Sequence, residues 1–204
     1  TSSTVNYNNS GAQNIGNYVY YNLTLSGSGT KTLLNNLQVN NNLFIDGSAT
    51  LYTNTFSVSG NAAGTFTMAS GTGLTLGNSN VATAVLFPAN YTAPNIFLDL
   101  LSTVTYQANT GQVVSNVPAY GNLIIGATTA STTKTCDGNL TVNGNLSVDG
   151  TSAFSVNTTA ATWTIGGNTA ITGTLDFGTT TAKTISLGGD LSGTGTINMT
   201  GAGL

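Results

Sequence analysis

The sequence predicts an all-β protein of the parallel β-solenoid (β-helix) class, with handedness left open, on three observations. First, Asn-Leu-Thr-Val-Asn-Gly at 139–144 is followed at once by Asn-Leu-Ser-Val-Asp-Gly at 145–150. Second, apolar-x-apolar triplets of the same kind recur along the chain, separated by clusters of Gly, Asn, Ser and Thr. Third, no segment keeps the i, i+3, i+4, i+7 spacing of an amphipathic helix over three turns. In a strand, residues i and i+2 point the same way. Leu140, Val142, Leu146 and Val148 are therefore expected inside, and Thr141 and Ser147 outside. The pairs Asn143-Gly144 and Asp149-Gly150 supply the corner chemistry that turns the chain into its next strand.

The triplets run in order through both halves. They begin with Leu23–Leu25, Leu37–Val39, Leu43–Ile45, Phe56–Val58, Phe66–Met68 and Leu74–Leu76. Trp163–Ile165, Leu175–Phe177, Ile185–Leu187 and Ile197–Met199 follow the two hexads. With about 20 residues per rung the 204 residues make roughly nine to eleven rungs. At ~4.8 Å each, the stack is about 45–50 Å long.

A longer period sits above the triplets. Ser3–Tyr7 returns as Ser102–Tyr106, Tyr20–Leu23 as Tyr120–Leu123, and Lys31-Thr32 as Lys134-Thr135. Asn42–Gly47 returns as Asn145–Gly150, and Phe66–Met68 is matched to Trp163–Ile165. This internal duplication divides one continuous solenoid into a first unit, 1–101, and a second, truncated unit, 102–204. The stretch Val81–Leu101 breaks the pattern with a long apolar run and two of the three prolines, Pro88 and Pro94. It reads as a strand buried on both faces, or as a side loop packed on the solenoid, and sets an irregular seam at about 78–101. Both ends stop within the repeat pattern. The segment is accordingly expected to continue in a longer chain or to be covered by neighbouring subunits.

Composition narrows the function. Only 4% of residues are charged and there is no His, Arg or Glu, against about 25% charge in an ordinary soluble domain. Nucleophilic catalysis through a His base and a His or multi-Cys zinc site are excluded. No phosphate-cradling Gly-x-x-x-x-Gly-Lys-Ser/Thr loop occurs, and a net charge of −3 speaks against nucleic acid. No apolar run approaches the ~20 residues of a membrane helix. Asp46 and Asp149 occupy equivalent Asp-Gly corners several rungs apart, farther than the ~5–9.5 Å that paired glycosidase carboxylates need. Gly188-Gly189-Asp190 is a fragment of a calcium-binding β-roll motif, but an Asx-turn is the simpler reading. No cofactor and no catalytic or metal-binding residue is expected, and the protein is read as a non-enzyme.

Four further groups stand out. Lys31 and Lys134 occupy matching places, read as solvated charges on strand edges that block lateral pairing. Cys136, the sole cysteine, reads as a small buried apolar residue. Tyr18, Tyr20 and Tyr21, with Tyr120 as a partner, form an aromatic set that suits either glycan stacking or a core wedge. Together with Phe87 and Phe97 of the seam they make up the candidate contact surface.

Val5–Tyr7, Gly11–Gln13, Tyr20–Leu33 and Asn36–Ile45 together resemble the β-strand repeats of very large secreted surface proteins of Bacteroidetes, often exported by the type IX system. The Asn-Leu-Thr-Val pieces are also similar to filamentous-haemagglutinin-type adhesins. The resemblance covers nearly the whole chain except about 78–101. It implies an extracellular or cell-surface location and an adhesive or matrix role, and carries over no catalytic residue. The expected function is a structural segment of an extracellular adhesin, sheath or filament. Its expected partners are neighbouring repeats or identical subunits end to end, with a glycan as a further candidate, but neither nucleic acid nor the membrane interior. The alternatives are a glycan- or ice-binding module on a solenoid face, or a phage fibre segment. Against ice binding, the outward positions mix Thr, Ser, Gln, Phe, Asp and Asn.

Overall fold

The computed structural model describes residues 2–126, 131–156, 160–178 and 183–199. Short strands of two to six residues pair in parallel with the strands of the turns above and below. The single described helical element is a 3-10 turn at Ala93–Asn95. The chain is therefore a parallel β-solenoid, as the triplets predict.

Each turn visits three faces. On face 1, Thr4–Tyr7, Asn22–Leu25, Leu43–Ile45, Phe66–Met68 and Ile96–Leu98 form one sheet. Further along this face, Ala119–Tyr120, Leu140–Val142, Ala161–Ile165 and Lys183–Leu187 form a second. Face 3 is divided in the same way. Val19–Tyr20, Leu37–Val39 and Val58–Ser59 lie in one sheet, and the strands from Gln112–Val114 to Thr196–Asn198 in another. Face 2 has no division. Nine strands, from Gln13–Ile15 to Leu191–Ser192, run through it as one sheet. Their eight register steps, at ~4.8 Å each, span about 38 Å.

Register shows why the period drifts. Successive partners on face 2 include Ile15 and Leu33, Lys31 and Leu51, Leu51 and Leu74, Val104 and Leu123, Leu123 and Leu146, and Thr169 and Leu191. These steps are roughly 20 residues long, whereas Leu74 pairs with Val104 across a much longer excursion. That excursion contains the irregular stretch found in the sequence. It is not a strand buried on both faces: between Leu76 and Ile96 the chain makes only an isolated bridge at Ala89 and the 3-10 turn. Val85 and Phe87 point into the core, Leu86 points out, and Ile96–Leu98 rejoins face 1 with Phe97 exposed.

The inward positions stack into columns. Leu51, Leu74, Val104, Leu123 and Leu146 stand one above another on face 2, all buried. The aromatic part of the core includes Phe154 against Trp163 at 4.6 Å and Trp163 against Phe177 at 5.4 Å between ring centroids. Leu140, Val142, Leu146 and Val148 are buried and Thr141 is exposed, as the alternation requires. Ser147 departs from expectation. It is half-buried between Ile124 and Ala170, and its hydroxyl donates to the Asp149 carboxylate. The tandem hexads are two sides of one turn, on faces 1 and 2, with the corner between them.

An Asn at the start of successive face 2 strands holds the corners. Asn122 Oδ1 accepts the N–H of Asn145 at 2.9 Å, Asn145 Oδ1 that of Asn168 at 2.8 Å, and Asn168 Oδ1 that of Asp190 at 2.9 Å. Each side chain supplies the acceptor that the next turn's corner would otherwise take from water. The Asp-Gly corners need glycine. Gly47 sits at φ +66°, and a Cβ there would come within 2.4 Å of the Gly27 carbonyl oxygen, a left-handed and crowded site that only glycine fits.

Two stability predictions follow from the columns. Leu146→Asp leaves an unpaired carboxylate in the core and should cost about 3–5 kcal/mol, whereas Ser147→Asp should be mild; denaturant midpoints compare the two. The Thr169 hydroxyl is buried in the face 2 column without a hydrogen-bond partner. Thr169→Val should therefore raise stability by about 1 kcal/mol, and a lower melting temperature for this variant would contradict the packing.

Candidate functional site

Both units contain the same polar cluster, buried in the second unit and partly buried in the first. Tyr7 and Tyr20 share a hydroxyl–hydroxyl hydrogen bond of 2.8 Å; the Gly16 N–H donates to Tyr7 Oη, and Tyr20 Oη donates to the Gly16 carbonyl. Tyr106 and Tyr120 repeat this at 3.0 Å, with Ser115 in the place of Gly16. Gln13 Oε1 accepts the N–H of Asn9, and Gln112 Oε1 that of Ala108, both at 2.9 Å. A lysine from the next turn completes each cluster. Lys31 Nζ donates to the carbonyls of Asn9 (2.6 Å), Gly11 (3.2 Å) and Ser28 (3.0 Å) and to Gln13 Oε1 (2.9 Å). Lys134 Nζ donates to the carbonyls of Ala108 at 2.6 Å and Thr110 at 2.5 Å.

The lysines are thus not solvated edge charges: both are fully buried. Their stems fill inward positions, with Lys31 between Gln13 and Leu51 and Lys134 between Gln112 and Phe154. Backbone oxygens of the previous turn's corner replace the water that each ammonium gives up. A signal for this was present in the sequence. Thr-Lys-Thr-Leu puts Lys31 on the same side as the buried Leu33, and Thr-Lys-Thr-Cys puts Lys134 on the side of Cys136. Among the described residues no carboxylate is a partner of either Nζ. The clusters pin each corner to the strand that follows it.

Burial sets the protonation of these groups. It lowers the Lys31 ammonium from its ordinary range and brings Lys134 down to about 8. It raises the phenols of Tyr20 and Tyr120, where the neighbouring tyrosine adds to the effect. Cys136 is buried, as expected, and burial followed by the nearby Asp137 charge pushes its thiol up to about 12. That thiol is no nucleophile at neutral pH.

The seam opens two depressions between the units. One, of about 440 Å³, lies between residues 86–91 and 113–117 on face 3, with Ile96 and Asp137 also lining it. The other, of about 550 Å³ and shallower, lies on face 1 between residues 96–99 and Ala119 and also reaches Ile96. The first is largely apolar. Leu86, Val113 and Val117 are exposed on its walls, and Phe87 and Tyr91 lie at its base. Tyr91 stacks on Phe66 at 5.8 Å, and its buried hydroxyl has no partner. Its ring sits where a Cβ on Gly60 would be, 2.1 Å away.

The six aromatic residues of the candidate contact surface do not form one surface. Tyr20 and Tyr120 are buried in the hydroxyl networks, and Phe87 is buried with its edge against Phe66 and Tyr120. These three are core residues: Tyr20 and Tyr120 turn inward at the ends of two-residue strands, and Phe87 points in from the excursion between Leu76 and Ile96. Tyr18, at 70% exposure, Tyr21, and Phe97, at 53%, remain outside. Tyr18 and Tyr21 belong to the first turn, whereas Phe97 lies at the seam. The apolar walls contributed by Val113 and Val117 were missed, since only the fold brings them opposite Leu86.

Asp46 leads into the third strand of face 2 and Asp149 follows the seventh, so about 19 Å of axial rise separates them. Among the described residues no group of three or more His, Cys, Asp or Glu is placed to hold a metal ion. No described helix is long and apolar enough to cross a membrane. No family model, curated protein or solved structure matches this chain.

The buried ammonium predicts a pH dependence. Below pH 8 both folded and unfolded chains hold the Lys134 proton, and between about 8 and the ordinary 10.5 only the unfolded chain holds it. The unfolded state then binds more protons, so this residue's contribution to stability rises with pH through that window. The stability of the native chain minus that of Lys134→Met should therefore climb from pH 7.5 to about 9.5 in urea titrations. A flat difference would mean that the folded site keeps its proton as readily as water does.

Proposed function

We propose that this chain is a non-enzymatic structural segment of an extracellular or cell-surface adhesin, sheath or filament. The observation that carries this reading is the nine-stranded sheet of face 2, which continues across the seam. Backbone pairing along the axis makes a rod whose stiffness does not depend on any one side chain. Surface charge is sparse, and Thr, Ser and Asn supply the polar exterior. Such a surface keeps its polarity across pH and salt, which suits exposure outside a cell. The resemblance to secreted Bacteroidetes surface repeats points the same way. Its partners on this reading are turns like its own, stacked end to end.

A binding role is the second reading, favoured by the apolar depression of about 440 Å³ at the seam. Ice binding has less support. One outward column of face 2 reads Asn14, Thr32, Tyr52, Thr75, Thr105, Ile124, Ser147, Ala170, Ser192, which is not a regular threonine array.

Antibody labelling of the source cells tests the proposal. Unpermeabilised cells should be labelled along surface structures, and electron microscopy of the purified chain should show thin rods. Labelling confined to permeabilised cells would refute the extracellular reading, and turnover of a polysaccharide by the purified chain would refute the non-enzymatic one.

A further inference from the structure

The second unit docks on the first through its opening turn, and the first unit opens with the same residues. Val104, Tyr106, Ala108, Gln112 and Tyr120 are buried at the internal junction. Thr103–Tyr106 pairs with the strand Gly73–Leu76. Ala108 packs on Gly77, where an added Cβ would come within 2.6 Å of the Ala108 Cβ. The Gln112 Nε2 donates to the carbonyls of Leu76 at 3.2 Å and Val85 at 2.8 Å, and Tyr120 meets the Phe87 ring at 6.1 Å.

The counterparts in the first unit are Val5, Tyr7, Asn9, Gln13 and Tyr20. Val5 points inward, in register with the buried Leu23, yet is 42% exposed, whereas Val104 is fully buried. Asn9 is exposed where Ala108 is buried. Gln13 uses its oxygen as Gln112 does, for a corner N–H, but its Nε2 takes no partner among the described residues. The tyrosine pair, the glutamine-to-corner bond and the lysine bonds to two corner carbonyls are common to both clusters, so the first cluster has the geometry that the second has at the junction.

We infer that the end face built by Thr4–Tyr7, Gln13 and Tyr20 is an interface, and that its partner is a solenoid turn built like residues 73–101 of this chain. That partner supplies a parallel strand edge for Thr4–Tyr7, two backbone carbonyls for the Gln13 Nε2, and an aromatic edge for Tyr20. The inference rests on the end-to-end stacking proposed above and adds which turn fits which end. It also sets the rotation. Thr4–Tyr7 lies on face 1 and Thr103–Tyr106 on face 2, so each such junction advances the repeat by one face.

The test lengthens the full chain by placing a copy of residues 1–101 ahead of Ser3. Leu101 is then followed by Ser3, as it is by Ser102 in the native chain. Backbone amides of Val5–Tyr7 below the new junction should exchange at least about tenfold more slowly, approaching Val104–Tyr106, which serve as the folded control. Gln13→Glu gives a second readout. In the native chain a carboxylate there faces the Lys31 ammonium and should hold or raise the melting temperature. Below the new junction it would face two carbonyl oxygens and should lower the melting temperature, as Gln112→Glu should in the native chain. Unchanged exchange at Val5–Tyr7, an added unit that melts separately or disturbs the turns below it, or the same sign for Gln13→Glu in both chains would overturn the inference. None of these outcomes bears on cell-surface labelling, so the two proposals can fail independently.

Discussion

Parallel pairing between successive turns is the constraint on which the rest of this structure depends. Pairing in register places each inward side chain on its equivalent in the turns above and below, so the core is a set of columns. A column accepts any residue that fits between its neighbours and leaves no polar group unmet. Leu, Val, Ile and Phe satisfy this without further help. Thr169 meets the space but not the polar requirement, since its hydroxyl lacks a partner.

The two lysines satisfy the same constraint in an unusual way. A chain with so few charges places two of its three cations in the interior, where an unpaired ammonium is costly. Each offsets this with carbonyl oxygens from the preceding turn's corner. The corner carbonyls need donors, and the lysine supplies up to three. The ammonium is thus part of the backbone's hydrogen-bond accounting rather than a surface charge. The tyrosine pairs beside it close the remaining polar groups, which explains why they are core residues despite their hydroxyls.

The seam is where the duplication meets the three-sided geometry. The first unit makes four full turns and one further face before the second begins. Equivalent segments consequently lie on different faces, and sheets built by the first unit on faces 1 and 3 end there while face 2 carries on. The depressions on faces 1 and 3 are the gaps left by those endings. Register also revises one sequence match. Phe66 corresponds to Thr169, and Trp163 to Val58, because these pairs occupy the same step after Leu43 and Leu146 or after Leu37 and Leu140.

The sequence by itself determined the fold class, the strand positions and, through alternation, the facing of most side chains, including Leu140, Val142, Leu146 and Val148. These follow from contacts within two residues along a strand. The same alternation placed Lys31 and Lys134 inward, but their charge argued otherwise, and only the carbonyls of a corner some 20 residues earlier could overrule it. The tertiary structure alone decided which face each strand occupies, because that position accumulates the lengths of every preceding corner. It also decided that Leu86 lies opposite Val113 and Val117, and that Tyr20, Tyr120 and Phe87 turn inward while Tyr18, Tyr21 and Phe97 do not. Local alternation cannot carry such information past an excursion as long as the one between Leu74 and Val104, since nothing local records where the chain rejoins the stack.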